Sequence, residues 1–433
     1  MLINSLALKN FKCFEELDVK FAPITLLTGA NSSGKSSLIN AILAVLQTEQ
    51  FPFYLSPNGK YVNMGSFEEI VFNKDSSKNI LLEFHLQSRQ LNRLYFNTIW
   101  KNDDNGLPTL QNLDIKNKRL ELSIRLKSER YFINMTLLKD KLFSENLLIK
   151  SIKNISKNEF SISKEGNLVF NDVEFSSADK MIKNFILPVL DIFRSVNIGG
   201  IGVSSIALGY HLFNYIGSFR LPPERTYYQK AKAQEKIDPD GNNYIDQIIE
   251  WEETSPEKLI ELTEVMQKIE LFTEIRSNKS KGGRFELNVK ISSKSSYTPL
   301  SDVGFGISQF LPIIVADLQL PRNSCLAISQ PEIHLHPKIQ AQFGNYLANQ
   351  INRTEKQYIV ETHSEYLLNR IRLLLVTGEL KPNQVRVLYF ENDGVKSTAH
   401  DVEFATDGQI KGAPQGFFDT YGIDVMDIAM NAH

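Results

Sequence analysis

Residues 29 to 36 read GANSSGKS, which fits the pattern G-x-x-x-x-G-K-[ST] without a gap. At background composition such a match arises by chance in roughly one chain of this length in a hundred. Gly29 and Gly34 let the backbone turn so that the amides of Ala30, Asn31, Ser32 and Ser33 converge on one centre. Phosphate oxygens can sit there, at the positive end of the helix that follows. Lys35 would then reach the β and γ phosphates, Ser36 would ligate Mg²⁺, and Ser37 or Asn31 would add hydrogen bonds. The chemistry indicated is the binding of ATP with Mg²⁺. A plain Gly-Ser turn before a helix needs neither the lysine nor the spacing.

A second stretch, CLAISQPEIHLHP at 325 to 337, raises a difficulty. In a phosphate-binding ATPase the residues that end such a strand are acidic, one beside Mg²⁺ and one to steer water, whereas here they are Ser329 and Gln330. A hydroxyl orders the metal's water weakly compared with a carboxylate. Loss of a general base slows a reaction about 10² to 10⁴-fold, or roughly 3 to 5 kcal/mol in the barrier. Nucleotide binding with slow hydrolysis is therefore the expectation, with Glu332 the carboxylate that could compensate or positioning alone doing the work. His334 and His336 have the spacing of a zinc pair, but no cysteine or third histidine is near in sequence, which disfavours that use.

The elements around these residues can be read from periodicity. ITLLTG is a buried strand leading into the loop, and Ser36 to Leu46 is apolar nearly all round, as in a helix packed on every side. Two alternating strands precede them. Residues 78 to 170 are strand-rich, Asp179 to Phe193 and Pro256 to Thr273 are helical, and 218 to 243 form a Pro-, Gly- and charge-rich connector. The closing half alternates strand and helix, which argues a parallel α/β core. The corresponding segments are 1–84, 85–195, 196–300 and 301–433.

Composition sets the limits. Apolar residues are 42%, charged residues 23%, and the net charge is −2, so any nucleic-acid contact must come from a local patch. The 111 to 160 block holds eleven Lys or Arg against six Asp or Glu, but without interleaved aromatics it reads as a solvated sheet edge. Cys13 and Cys325 read as reduced core thiols, which fits a cytoplasmic chain. No secretion signal is evident. The uncharged run Ser195 to Phe219 is too rich in glycine and polar residues for a membrane span.

Taken in order, "LALKNFKCFEELDVKFAPITLLTGANSSGKSSLINAIL", "MGSFEEIVF", "YIGSFRLPPERTY", "LSDVGFGISQFLPII", "SQPEIHLHPKIQAQF", "IVETHSEYLLNRIR" and "PQGFFDTYGIDVMDIA" resemble ABC-type ATPase heads of the SMC, RecF and OLD kind. They look most like AAA-family ATPases with a DUF3696 C-terminus. The resemblance implies a P-loop ABC-type head: an α/β fold with a mixed sheet, an antiparallel β subdomain and a helical insertion. It implies that Gly306, Ser308 and Gln309 of "GFGISQ" cap the γ phosphate bound by an opposite subunit. Ser329 takes the place of the Mg²⁺-side carboxylate, Gln330 that of the water-steering glutamate, and His336 that of a D-loop aspartate. His363 matches the switch histidine that senses γ phosphate, which makes Gln330, Glu332 and His363 the candidate catalytic set. The partners implied are a second copy, in a head-to-tail homodimer or higher homo-oligomer, and a separate effector protein. No heptad arms of the SMC kind appear. The nuclease domain of OLD proteins is not expected, since about forty residues follow "VRVLYF"; Asp393, Asp401, Glu403 and Asp407 there read as an exposed hairpin. Stand-alone heads of this kind point to phage defence, with the toxic step on another chain. The alternative is a RecF-like repair ATPase gripping duplex DNA.

Overall fold

The structure, a computed structural model, describes residues 2–48, 51–88, 92–118, 120–138, 161–165, 167–186, 210–228, 236–280, 283–414 and 417. The chain divides into two units, each assembled from distant stretches. Met1–Phe21, Ser37–Tyr210 and Asn392–Thr398 form the first, and Ala22–Ser36, His211–Glu391 and Ala399–His433 the second.

The first unit holds a nine-stranded sheet in the order Phe14–Lys20, Leu2–Phe11, Ile80–Ser88, Asn92–Asn102, Pro108–Lys116, Leu120–Lys127, Arg130–Leu137, Leu168–Phe175 and Ser161–Ile162. Its ladders are antiparallel. Alternation explains this: Leu120, Leu122 and Ile124 are buried while Glu121 between them is exposed, the signature of a sheet with one covered face. Phe84 stacks on Phe96 at 5.0 Å between ring centroids, and Phe51 meets Phe96 edge-on at 5.2 Å. Part of the basic excess of 111 to 160 lies on this sheet, where Arg125 pairs with Asp114 at 2.8 Å; residues 139–160 lie outside those described. The helix expected over Asp179 to Phe193 is seen as Ala178–Met181 running into a π-helical turn at Ile182–Ile186, and residues 187–193 lie outside the described set.

The second unit is built on a seven-stranded sheet in the order Phe213–Ile216, Cys325–Ser329, Gln357–Glu361, Ile24–Gly29, Val385–Asn392, Ser397–Phe404 and Ile410–Lys411. The first five strands run parallel. Ile24–Gly29, Cys325–Ser329 and Gln357–Glu361 are buried along their whole length, as strands covered on both faces must be. The helices Phe305–Gln319, Pro337–Thr354 and Glu365–Val376 alternate with these strands in sequence, as the closing half of the chain suggests. A smaller sheet pairs Arg284–Lys290 with Glu274–Ser280, Tyr227–Tyr228 and Thr298–Pro299. Helix Tyr244–Thr254 was not foreseen; it begins where the polar connector ends. Helix Pro256–Lys268 stops short of the expected Thr273 because Glu270 turns into left-handed backbone, φ 68°.

The mixed α/β class read from the sequence is the class observed. Helix Lys35–Gln47 buries Leu38, Ile39 and Ala41 to Val45, as an all-round apolar helix should. Cys325 is buried and Cys13 only half-buried, and both are free thiols. Among the described residues no helix is long and apolar enough to cross a membrane. Of the uncharged run before Phe219, residues 195–209 lie outside those described, and Phe213–Ile216 is a strand.

Candidate functional site

The parallel strands of the second unit end side by side. Ser329 is in register with Glu361, Glu361 with Leu27, and Phe390 with Gly29. In open parallel sheets this carboxyl edge is where ligands bind.

Gly29 turns the chain out of its strand at φ 129°. A Cβ there would lie 2.2 Å from the Phe390 carbonyl oxygen, so the close approach admits only glycine. Gly34 (φ 106°) and Ser32 (φ 59°) complete the turn. Ala30, Asn31, Ser32 and Ser36 are exposed, whereas Ser33, Gly34 and Lys35 are buried; Ser37, the next residue of the helix, is half-buried. The Lys35 Nζ sits inside the loop, donating to the Gly29 carbonyl at 3.0 Å and the Ala30 carbonyl at 2.6 Å, with the Ser33 hydroxyl at 3.5 Å. Burial lowers its pKa, and the negative charge of Glu361 opposes that shift. A cation enclosed by a ring of main-chain groups at a helix start is suited to a polyphosphate.

Beside the loop stands a carboxylate that motif reading missed. The Ser36 hydroxyl donates to Glu361 Oε1 at 2.8 Å, and the Ser329 hydroxyl donates to Oε2 at 3.0 Å. Tyr215 Oη lies 3.3 Å from the same Ser329 hydroxyl, and burial raises the tyrosine's pKa. Ser36, Ser329 and Glu361 present oxygen donors only, a set that suits Mg²⁺. Ser36, with that carboxylate close by, would hold the ion, which would supply charge neutralisation for a bound polyphosphate. The sequence signal for Glu361 was its place at the end of an apolar strand two residues before His363.

The segment after Ser329 is strained. Gln330 and His334 both take left-handed backbone, φ 48° and 62°, conformations that non-glycine residues hold only when the surroundings impose them. The Gln330 amide donates to the Glu361 carbonyl at 2.7 Å. Buried Arg220 binds the segment from behind: Nη1 donates to the carbonyls of Gly217 (2.8 Å) and Ser329 (3.2 Å), and Nη2 to that of Gln330 (3.1 Å). Glu332 accepts from the His363 amide at 2.6 Å and the Thr362 hydroxyl at 2.9 Å. Burial nonetheless holds its carboxyl above the usual range. Both oxygens of the expected compensating carboxylate are thus engaged in joining two loops. The exposed His363 has its pKa lowered, by burial first and then by the nearby charge of Lys35, which keeps the imidazole neutral at pH 7.

Gly306, Ser308 and Gln309 make their contacts elsewhere within the chain. A Cβ on Gly306 would meet the His334 carbonyl oxygen at 2.8 Å. Buried Ser308 donates back to the Phe305 carbonyl at 2.9 Å. Buried Gln309 donates to the carbonyls of Arg220 and Leu221 at 3.2 and 3.4 Å. His336 caps helix Pro337–Thr354 by accepting from the Lys338 amide. No group of three or more His, Cys, Asp or Glu side chains among the described residues is placed to hold a metal. Asp393, Asp401, Glu403 and Asp407 are all exposed along the Val385–Phe404 hairpin and the turn after it, with Asp393 accepting from the Val395 and Lys396 amides and Asp401 pairing with Arg386.

The sequence profile of a family described as "AAA ATPase domain" matches residues 1–368. No curated protein matches the chain. Among solved structures, an SMC head bound to the C-terminal winged helix domain of ScpA is 12% identical, with 93% of this chain and 98% of that one covered, at a TM-score of 0.50. The SMC head domain from Thermotoga maritima is 13% identical over 92% and 98%, with a TM-score of 0.43. The ScpA-bound Smc head from Pyrococcus furiosus is 11% identical over 99% of each chain, at 0.45. At such identities the first likeness is one of fold: a mixed α/β ATPase head.

Proposed function

The chain belongs to the AAA ATPase domain family, and on that premise we propose that it binds Mg²⁺ and ATP in the Gly29 to Ser36 loop and hydrolyses the nucleotide slowly. The observation that carries this reading is the enclosed Lys35 ammonium at the carboxyl edge of a parallel sheet, one residue before a Ser36 hydroxyl that faces a carboxylate. Slow turnover follows from the neutral pair Ser329 and Gln330 and from the engagement of Glu332. In this reading His363 responds to nucleotide, a role supported by the bond from its main-chain amide to Glu332, which joins the two loops.

The biological role we propose is that of a nucleotide-dependent switch or scaffold, active as a homodimer or higher homo-oligomer and read by a separate effector protein. The resemblance to the OLD and DUF3696 group supports phage defence as its setting. A docked partner protein is supported by the SMC head that is bound to a ScpA domain. A DNA-gripping repair ATPase is the second reading; the SMC fold likeness favours it, and the near-neutral charge speaks against strong DNA affinity.

Calorimetry, turnover and light scattering on the natural chain and on Lys35→Ala test the proposal. The natural chain should bind Mg·ATP, turn it over slowly and gain mass with nucleotide, and Lys35→Ala should lose binding. A natural chain that binds nothing at millimolar ATP would refute it. Turnover strongly stimulated by duplex DNA would favour the repair ATPase.

A further inference from the structure

We infer that Glu361 supplies the metal-side carboxylate that position 329 lacks, so that the acid has moved one strand along the sheet while its charge still faces Ser36. The inference rests on the reading that the Gly29 to Ser36 loop binds ATP. In P-loop ATPases the hydroxyl that ends the loop and an acid from a neighbouring strand end hold Mg²⁺ together. Here the acid within hydrogen-bond range of Ser36 is Glu361, at 2.8 Å, and not a residue of the SQPE segment.

Three further observations fit this assignment. Ser329 and Glu361 are register partners on adjacent parallel strands, so exchanging acid and neutral residue between them displaces the charge by one strand spacing without leaving the edge. The Ser329 hydroxyl donates to the second carboxylate oxygen and sits beside Tyr215 Oη, which orients the carboxylate toward Ser36. Glu361 is itself only 4% exposed. A carboxylate so deeply buried is unfavourable unless a cation joins it. A divalent ion at Ser36 would meet that need, and Ser329 becomes a positioning residue rather than a ligand.

The test measures metal coupling and not turnover. Binding of a fluorescent ADP analogue is titrated in Mg²⁺ and in EDTA, and Mn²⁺ affinity in the presence of ADP is read by electron paramagnetic resonance. In the natural chain Mg²⁺ should tighten nucleotide binding. In Glu361→Gln that enhancement should vanish and Mn²⁺ affinity should fall about 10- to 100-fold, while binding in EDTA persists. Enhancement retained in a folded Glu361→Gln overturns the assignment and leaves the ATP reading standing. A natural chain that binds no nucleotide overturns both. Should Glu361→Gln fail to fold, Glu361→Asp decides. The shorter side chain draws the carboxylate away from Ser36, so Mn²⁺ affinity should fall, and an unchanged affinity overturns the assignment.

Discussion

Replacing Arg220 by methionine tests whether the strained segment after Ser329 is held from behind. Methionine keeps much of the buried stem's volume and removes the guanidinium. Three carbonyls, those of Gly217, Ser329 and Gln330, lose charge-assisted bonds of 2.8 to 3.2 Å, each worth about 1.5 to 3 kcal/mol. Against this, burial pulls the guanidinium's pKa down to about 10, which corresponds to roughly 3 kcal/mol against the charged form. The net loss should be about 1.5 to 6 kcal/mol and should fall on the segment itself. Amide hydrogen exchange reads this directly, because the amides of Gln330, Ile333 and Leu335 are bonded within the site's loops. Their exchange should accelerate about tenfold to about 10⁴-fold, at ~1.4 kcal/mol per tenfold. The Ile24–Gly29 strand serves as an internal reference. Acceleration of less than about threefold at those amides would refute the claim that Arg220 holds the segment in place.

Further outcomes follow from other contacts. Gly29→Ala forces a Cβ to 2.2 Å from the Phe390 carbonyl oxygen at φ 129°; stability should fall by more than about 1 kcal/mol, with nucleotide binding lost, and thermal unfolding with a binding titration checks both. Lys356→Met leaves the wholly buried Asp317, which Lys356 meets at 3.1 Å and Tyr358 at 2.9 Å, without its cation. A loss of about 3 to 5 kcal/mol should appear in denaturant unfolding and be largely recovered in the double change Asp317→Asn with Lys356→Met. Glu332 has a folded pKa above its unfolded value, so its contribution is fully present below about pH 4.3 and is lost as pH rises through the folded pKa. The stability of the natural chain relative to Glu332→Gln should therefore decline over that window and then level off, and parallel melting curves from pH 4 to 8 would contradict it.

The strand, loop and helix around Gly29 to Ser36 were legible because their information is local: two glycines, a lysine and a serine at set spacing between an apolar strand and an apolar helix. The strands and helices of the closing half were legible for the same reason, since periodicity of side chains along a few residues reports the face each must bury. Helix Tyr244–Thr254 was not legible, because the polar run that ends at Asn243 leads straight into it and Asn243 makes no side-chain cap bond. The bonds of Gln309 to the backbone of residues 220 and 221, almost ninety positions away, are announced by no local pattern.

The sequence alone therefore determined the loop pattern at Gly29 to Ser36, on which the proposed nucleotide binding rests, and the α/β class that presents it. Only the tertiary structure decided which groups surround that loop. Whether Ser329 leaves the edge without a carboxylate depends on the register between Cys325–Ser329 and Gln357–Glu361, and register is set by how two distant segments align. The engagement of Glu332 with residues 362 and 363, and of Arg220 with 329 and 330, depends likewise on hydrogen bonds that close long loops. Spacing along a chain specifies local shape; the partners of a buried charge are chosen by packing, which brings together residues that no linear pattern joins.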